Sequence, residues 1–449
     1  MDSLWRNQTG KIRPGRDDSC TANESKENIH WDVIVVGGGL AGVLTAYYLK
    51  EQGMKVLVLE AKEIASGQTE RTTAKITSQH GLKYRKLIQD IGEEKARLYA
   101  LANEASIREY ERLIRTLKID CEFEKTAAYL YSEQDEDVLR EEVKAAVRLG
   151  IDAFFTRETE LPFAVKGAVC FRNQAQFSPL KFIQGIAQEL EIWEHSQVLR
   201  IQGNQVILKD KVLRADKIVM TTHYPVKNVP GFYFLRQHQE RSYVLVLSGC
   251  TPIKGMYYGI DPKGLSFRQS GDLLLLGGSS MRTGENTCGG AYDYLVESAK
   301  KYYPDSIEKM RWAAQDCMPH DGIPFIGKYS VFTPDLYVAT GFQKWGMTTA
   351  MAAAMILREE VCGKANPYSE VFAPQRLYVR AGFKNFIKDV GVSVKGLLKG
   401  CITRPRCSHM GCALVWNPEE KSWDCPCHGS RFEEQGALVD NPAGKNIRP

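Results

Sequence analysis

Trp31-Asp32-Val33-Ile34-Val35-Val36 is a branched apolar run that opens directly onto Gly37-Gly38-Gly39-Leu40-Ala41-Gly42 and an Ala- and Leu-rich stretch. A run without polar alternation reads as a strand buried on both faces, which commits the chain to a parallel sheet with crossover helices. Gly37 permits the tight turn, Gly39 lets a pyrophosphate approach the backbone, and Gly42 lets helix and strand pack closely. A second strand from Lys55 to Leu59 ends at Glu60, about 20 residues past the glycines, where an acid accepts the ribose hydroxyls of an adenine dinucleotide. Strand, glycines, helix, second strand and acid fall in order, so the unit is far more specific than a lone glycine motif.

The other end of the sequence carries a second chemistry. Cys407, His409, Cys425 and His428 follow the pattern C-x-H-x15-C-x2-H, one thiolate and one imidazole from each of two loops. In a Rieske [2Fe-2S] centre two thiolates hold one iron and two imidazoles the other. Cys2His2 zinc is the alternative, but zinc sites usually keep like ligands together in C-x2-4-C and H-x3-5-H pairs, and here each pair is mixed.

With flanking Gly411, Pro426, Gly429 and Ser430, this tail resembles the Rieske family. The resemblance implies a loop-to-loop disulfide between Cys412 and Cys427, and a Ser430 hydroxyl donating to a cluster sulfur. Phe432 falls where high-potential members carry a Tyr hydroxyl, which implies an intermediate or low potential. The helical-looking stretch from Phe383 to Lys399 runs almost directly into Cys407, so the module looks trimmed to its cluster-binding lobe.

The chain has 449 residues, 43% hydrophobic and 25% charged, enough for two or three cores. A net charge of +5, with acids interspersed among the bases, offers no nucleic-acid stripe. Residues 1–30 read as a polar tail rather than an export signal, and no apolar run is long enough to span a bilayer. Eight of the twelve cysteines are scattered without framework spacing, as expected of reduced thiols in a cytoplasmic enzyme.

Between about Trp31 and Gly363 the chain resembles the glycine-oxidase and D-amino-acid-oxidase superfamily of FAD enzymes. The resemblance rests on Ser66 to Lys75, Ile218 to His223, Asp321 to Gly327 and Gly341 to Thr349. It implies that Thr72 and Thr73 pass the flavin ring, that Thr222 and the Val198 backbone lie on the adenine side, and that Gly346, Met347 and Thr348 point N–H groups at the flavin edge. A helix N-terminus there favours the negative charge of reduced flavin. No second G-x-G-x-x-G supports NAD(P)H.

The expected fold is α/β: a discontinuous Rossmann-like FAD-binding domain, an α+β substrate domain roofing the flavin, and a small C-terminal Rieske lobe. The expected boundaries are FAD-binding segments at about 31–80, 165–225 and 305–365, and a substrate domain at about 81–164 and 226–304. A helical linker at 366–400 leads to the cluster lobe at 401–449. Helices are expected from Glu93 to Leu117 and, behind Ser178 as cap and Pro179, from Lys181 to Leu190.

Arg268 and Arg282, at strand ends of the roofing sheet, and Lys344, beside Trp345, are the candidates for holding a substrate carboxylate. Cys317 falls where sarcosine-oxidase relatives attach FAD covalently, against a plain core thiol. His80, His223 and His320 carry no acid-base assignment. The expected activity is oxidation of a small amine or amino-acid-like substrate at FAD, with electrons exchanged through the cluster with an external protein. The alternative is a redox-sensing protein without turnover. A Rieske oxygenase needs two further His and a carboxylate on a mononuclear iron, and the six histidines outside the cluster set show no close pairing along the sequence.

Overall fold

A computed structural model describes residues 3–12 and 30–449. The apolar run Trp31–Val36 is an inner strand of an eight-stranded sheet. It pairs in parallel with Val212–Met220 on one side and with Val56–Leu59 on the other, Val36 lying opposite Met220 and Leu59. Glu191–Trp193 extends one edge, and Thr333–Thr340 followed by Phe325–Ser330 extends the other. Strands flanked on both sides and covered on both faces cannot alternate polar and apolar residues, which is why this run could be read so early.

The helix Leu40–Glu51 is buried almost throughout and packs against Gly346–Val361. A nine-stranded, mostly antiparallel sheet roofs this assembly, its longest strands being Ile307–Pro319 and Gln237–Ser248. Gly167–Gln176 and Ile307–Pro319 both belong to this roof, although the sequence expectation put them on the FAD-binding side. Roof and floor therefore exchange chain more often than the hydrophobic pattern reveals. The helix Glu93–Leu117 forms as expected. Pro179–Ala187 also forms behind Ser178, but the Ser178 hydroxyl makes no capping hydrogen bond and the helix stops three residues early.

The start of the chain departs from the polar-tail expectation. Leu4–Thr9 is a short helix, and Leu4, Trp5 and Ile12 are buried in the main core. Residues 13–29 of the expected tail lie outside the described residues.

The expected linker at 366–400 holds a short helix, Ser369–Phe372, and then the helix Val379–Ile402, which extends the helical-looking stretch Phe383 to Lys399 at both ends and runs into the lobe. A Cβ at its Gly400 would overlap the Gly411 carbonyl, and one at Gly396 would overlap the Cys427 sulfur. The Gly396 carbonyl accepts the Ala413 N–H at 3.0 Å. The lobe is thus seated on bare helix backbone. Beyond it, Val415–Asn417, Ser422–Asp424, Arg431–Glu433 and Leu438–Asp440 form a small antiparallel sheet. Arg241, fully buried in the roof, pairs with Glu420 and ties the two together.

Candidate active site and cluster centre

Between the parallel sheet and the roof lies a cavity of about 650 Å³, the size of a cofactor pocket. Gly37, Gly39 and Glu60 form one end of it. Gly37 has φ +110°, and a Cβ there would sit 2.8 Å from the Thr221 carbonyl oxygen, so only glycine fits. Gly42 lies behind the turn, where a Cβ would overlap the Gly37 carbonyl. Glu60 accepts the Gly38 N–H at 2.7 Å and the Lys62 N–H at 2.8 Å, while burial pushes its pKa up. A glycine cradle and an acid fixed beside it fit a dinucleotide.

Thr72, Thr73, Val198, Thr222, Gly346 and Met347 also line this cavity. Thr348 does not: its hydroxyl is turned away onto the Thr77 carbonyl at 3.0 Å. The Thr72–Thr73 segment is held from outside, since the Trp5 indole donates to the Thr72 carbonyl at 2.7 Å. Trp5 was invisible as a functional residue in the sequence, being a single aromatic in a polar stretch.

Arg268 is held away from any substrate. It is 2% exposed, stacks on Trp5 at 4.8 Å, and spends its guanidinium on Gln176 and the Thr73 and Phe177 carbonyls. Arg282 is likewise committed, to the Pro426 and Cys427 carbonyls at 2.6 and 2.9 Å and to Asp389. Both expectations of a carboxylate clamp fail for one reason: these arginines satisfy buried backbone carbonyls, which a sequence does not show.

Lys344 does reach the cavity wall, where it donates to Ser242 at 2.8 Å and pairs with Glu240 at 3.3 Å and Asp316 at 3.6 Å. Burial pushes Asp316 up to about 6 despite that lysine. Lys75, which sequence reasoning did not single out, is the most perturbed base on the wall. Burial, with the nearby Arg268 cation, pushes it down to about 7, and its Nζ donates to the Tyr257 carbonyl and the Ser266 hydroxyl at 2.7 and 2.5 Å. Cys317 is a buried thiol against the His223 carbonyl and is not on the wall. His80 is enclosed between Tyr99 and Thr77 and stacks on Trp345.

The four cluster residues are brought together as spaced. Their loops close alike: Gly411 N–H donates to the Cys407 carbonyl and Gly429 N–H to the Cys425 carbonyl, both at 2.9 Å, with φ +81° and +87° at the glycines. The His409 and His428 rings stand 5.1 Å apart. Burial lowers their pKa values to about 4 and 3, so both are neutral, and each Nδ1 is buried without a hydrogen-bond partner. Two orphaned imidazole nitrogens beside the buried thiols Cys407 and Cys425 fit a mixed-ligand iron-sulfur cluster. Cys412 and Cys427 stand as free thiols whose sulfurs lie, with that of Cys425, within 4.8 Å of one another.

The lobe docks on the roof directly above the cavity. The Gln239 amide donates to the His428 carbonyl at 2.7 Å, and Gln315 donates to the Gly429 carbonyl at 2.8 Å. His223, on the cavity wall, is 3.2 Å from the Gln239 amide oxygen. The lobe's residues Leu438 to Gly444 line the cavity itself.

One absence read from the sequence is overturned. His238 and His320, unpaired along the chain, converge on Asp389 of the linker helix. Asp389 Oδ2 lies 2.8 Å from His238 Nδ1 and 2.6 Å from His320 Nε2, while Arg282 pairs with Oδ1. Protons and a guanidinium already satisfy that carboxylate, with the spacing of hydrogen bonds rather than of a shared metal sphere.

Comparison with known proteins follows the same division. The family model for FAD dependent oxidoreductases, DAO, matches residues 32–360, and that for the Rieske [2Fe-2S] domain matches residues 395–449. The chain is 32% identical to the Bacillus subtilis protein YhfW, named as a Rieske 2Fe-2S iron-sulfur protein, over 94% of each chain. It is 34% identical over 94 residues to cytochrome b6-f complex iron-sulfur subunit 3 of a Nostoc species, covering 20% of this chain and 53% of that one. In fold it is similar to glycine oxidase from Geobacillus kaustophilus, with a TM-score of 0.67 and 17% identity over 78% of this chain and 99% of that one. L-proline dehydrogenase from P. horikoshii gives a TM-score of 0.64 at 17% identity, over 79% and 98%. Among the described residues no helix is long and apolar enough to cross a membrane.

Proposed function

Since the chain belongs to the family of FAD dependent oxidoreductases and carries a Rieske [2Fe-2S] domain, we propose that it oxidises a small amine or amino-acid-like substrate in the cavity and passes the electrons through the cluster to an external acceptor. The observation that carries this reading is the shared cavity: the cluster lobe supplies part of the wall whose other end is the dinucleotide cradle.

FAD would be held by Gly37, Gly39 and Glu60, with Thr72, Thr73, Val198, Thr222, Gly346 and Met347 around it, and the cluster by Cys407, His409, Cys425 and His428. Bound there, the flavin supplies a two-electron acceptor and the cluster a one-electron carrier. The rest is the work of side chains. Lys75, neutral above about pH 7, takes the proton of a substrate ammonium and leaves a neutral amine. The roof strands exclude water. Gln239 and Gln315 fix the distance between lobe and cavity by holding the second cluster loop through its carbonyls.

The test is anaerobic titration of the purified holoenzyme with a panel of amines and amino acids, followed by flavin absorbance and cluster EPR. Bleaching of the flavin by one substrate class, followed by the EPR signal of a reduced cluster, is expected. Flavin and cluster that both stay oxidised across the panel would leave the sensor reading. Zinc in place of iron would overturn the electron path.

A further inference from the structure

We propose that the outward face of the helix Val379–Ile402 is a seat for an anionic lipid bilayer, on which the protein lies without crossing it.

Phe383, Ile387, Val394, Leu398 and Ile402 are each more than half exposed. Their spacing of four, seven, four and four residues puts them on one side of the helix, as a stripe about 29 Å long. The other side is the one that packs. Asp389, Gly396 and Gly400 are buried there, the two glycines against the cluster lobe. A helix that belongs only to a core turns its large apolar side chains inward; this one turns bare backbone inward and five such side chains outward. A contiguous apolar stripe of that kind marks a surface that something covers.

Charge decides what covers it. Lys384, Lys388, Lys395 and Lys399 each follow a stripe residue by one position and are exposed, so they form a row along one flank. The helix's single acid, Asp389, is turned inward onto Arg282. Residues 379–406 hold seven Lys and Arg against that one acid, and the rest of the chain holds 52 bases against 53 acids. The whole positive excess of the protein therefore sits on this segment. A second copy would set cations against cations. An anionic headgroup layer over acyl chains satisfies both the row and the stripe, as it does for basic amphipathic helices that lie in the interface. Five cations within this one helix rule out a spanning path.

Seating has a geometric consequence for the lobe. The first cluster loop rests on the inner side of the same helix, where a Cβ on Gly400 would overlap the Gly411 carbonyl. The helix is then the layer between lobe and lipid, which holds that loop about 10 Å from the headgroups.

The experiment is co-sedimentation of the full-length holoenzyme with vesicles of phosphatidylcholine alone and of phosphatidylcholine mixed with phosphatidylglycerol. The protein should pellet with the mixed vesicles, stay in solution with the neutral ones, and be released as salt rises from about 0.1 to 1 M. Replacing Lys384, Lys388, Lys395 and Lys399 together by Gln should weaken binding about fivefold per lysine, several hundredfold in all. Ile387→Ser combined with Leu398→Ser should weaken it at least about tenfold. All six positions are exposed, so flavin spectrum, cluster EPR and melting temperature should stay as in the wild type in both variants. Wild-type protein that stays in solution with the mixed vesicles overturns the proposal. So does undiminished binding by the serine variant, which would reduce the contact to charge alone. A lipid-free dimer that the serine variant disperses also overturns it and gives the stripe to a second copy. None of these readouts depends on turnover or on the electron path.

Discussion

Replacing Gly429 by alanine should loosen the cluster lobe from the roof, and the structure supplies its own control. Gly411 and Gly429 occupy the same place in the two cluster loops, both at positive φ, both with the N–H bonded to the loop cysteine's carbonyl. Alanine at either costs about 1 kcal/mol in backbone strain. They differ in surroundings. A Cβ on Gly411 meets nothing within 4 Å, whereas one on Gly429 would lie 2.5 Å from Gln239 Cβ and 2.7 Å from its Nε2. Gln239 cannot swing aside without giving up its bonds to His428 and Asn441 and the one from Gln315. Forcing that contact costs about 1–3 kcal/mol, roughly 5- to 150-fold in the docking equilibrium. Hydrogen exchange across residues 425–445 of the cofactor-loaded protein reads that equilibrium as opening of the lobe. Gly411→Ala should speed exchange about fivefold and Gly429→Ala by the further factor. Equal protection in the two variants at equal cluster content would refute the docking account.

Gly42→Ala, which drives a methyl into the Gly37 carbonyl, should lower FAD affinity by about 5- to 150-fold through a cost of roughly 1–3 kcal/mol, measured by flavin release on dilution. Flavin reduction by an amine should rise with pH and level off above an apparent pKa near 7, because Lys75 is charged below that value and neutral above it. Lys75→Met should lose that inflection and about 100-fold in rate, and an unchanged pH profile would assign the proton elsewhere. Cys412 and Cys427 are close enough to bridge. Mild oxidation of the folded protein should close this bridge, after which alkylation of the unfolded, unreduced protein spares these two thiols, and Cys412→Ser should then cost the oxidised lobe about 2–4 kcal/mol, read as earlier cluster loss on heating.

What the sequence disclosed and what it hid divide by distance along the chain. Gly37, Gly39, Gly42 and Glu60 were legible because backbone geometry and a fixed strand-turn-helix spacing dictate them. So were Cys407, His409, Cys425 and His428, whose mutual positions are set within two short loops. Arg268 and Arg282 were misread because their partners, carbonyls of Thr73, Phe177, Pro426 and Cys427, come from far along the chain. The meeting of His238 with Asp389, 151 residues later, leaves no periodicity to detect. Lys75 looked ordinary because what is unusual about it is burial, which tertiary packing alone creates.

The cavity wall formed by Leu438 to Gly444 has a consequence for assembly. The glycine cradle is synthesised before this wall, so on the proposed reading a nascent chain would offer FAD an open trough. Enclosure waits until the lobe has folded and seated. On that reading iron-sulfur insertion and flavin retention would be parts of one maturation event, and cells starved of iron should accumulate this protein with its flavin easily washed out.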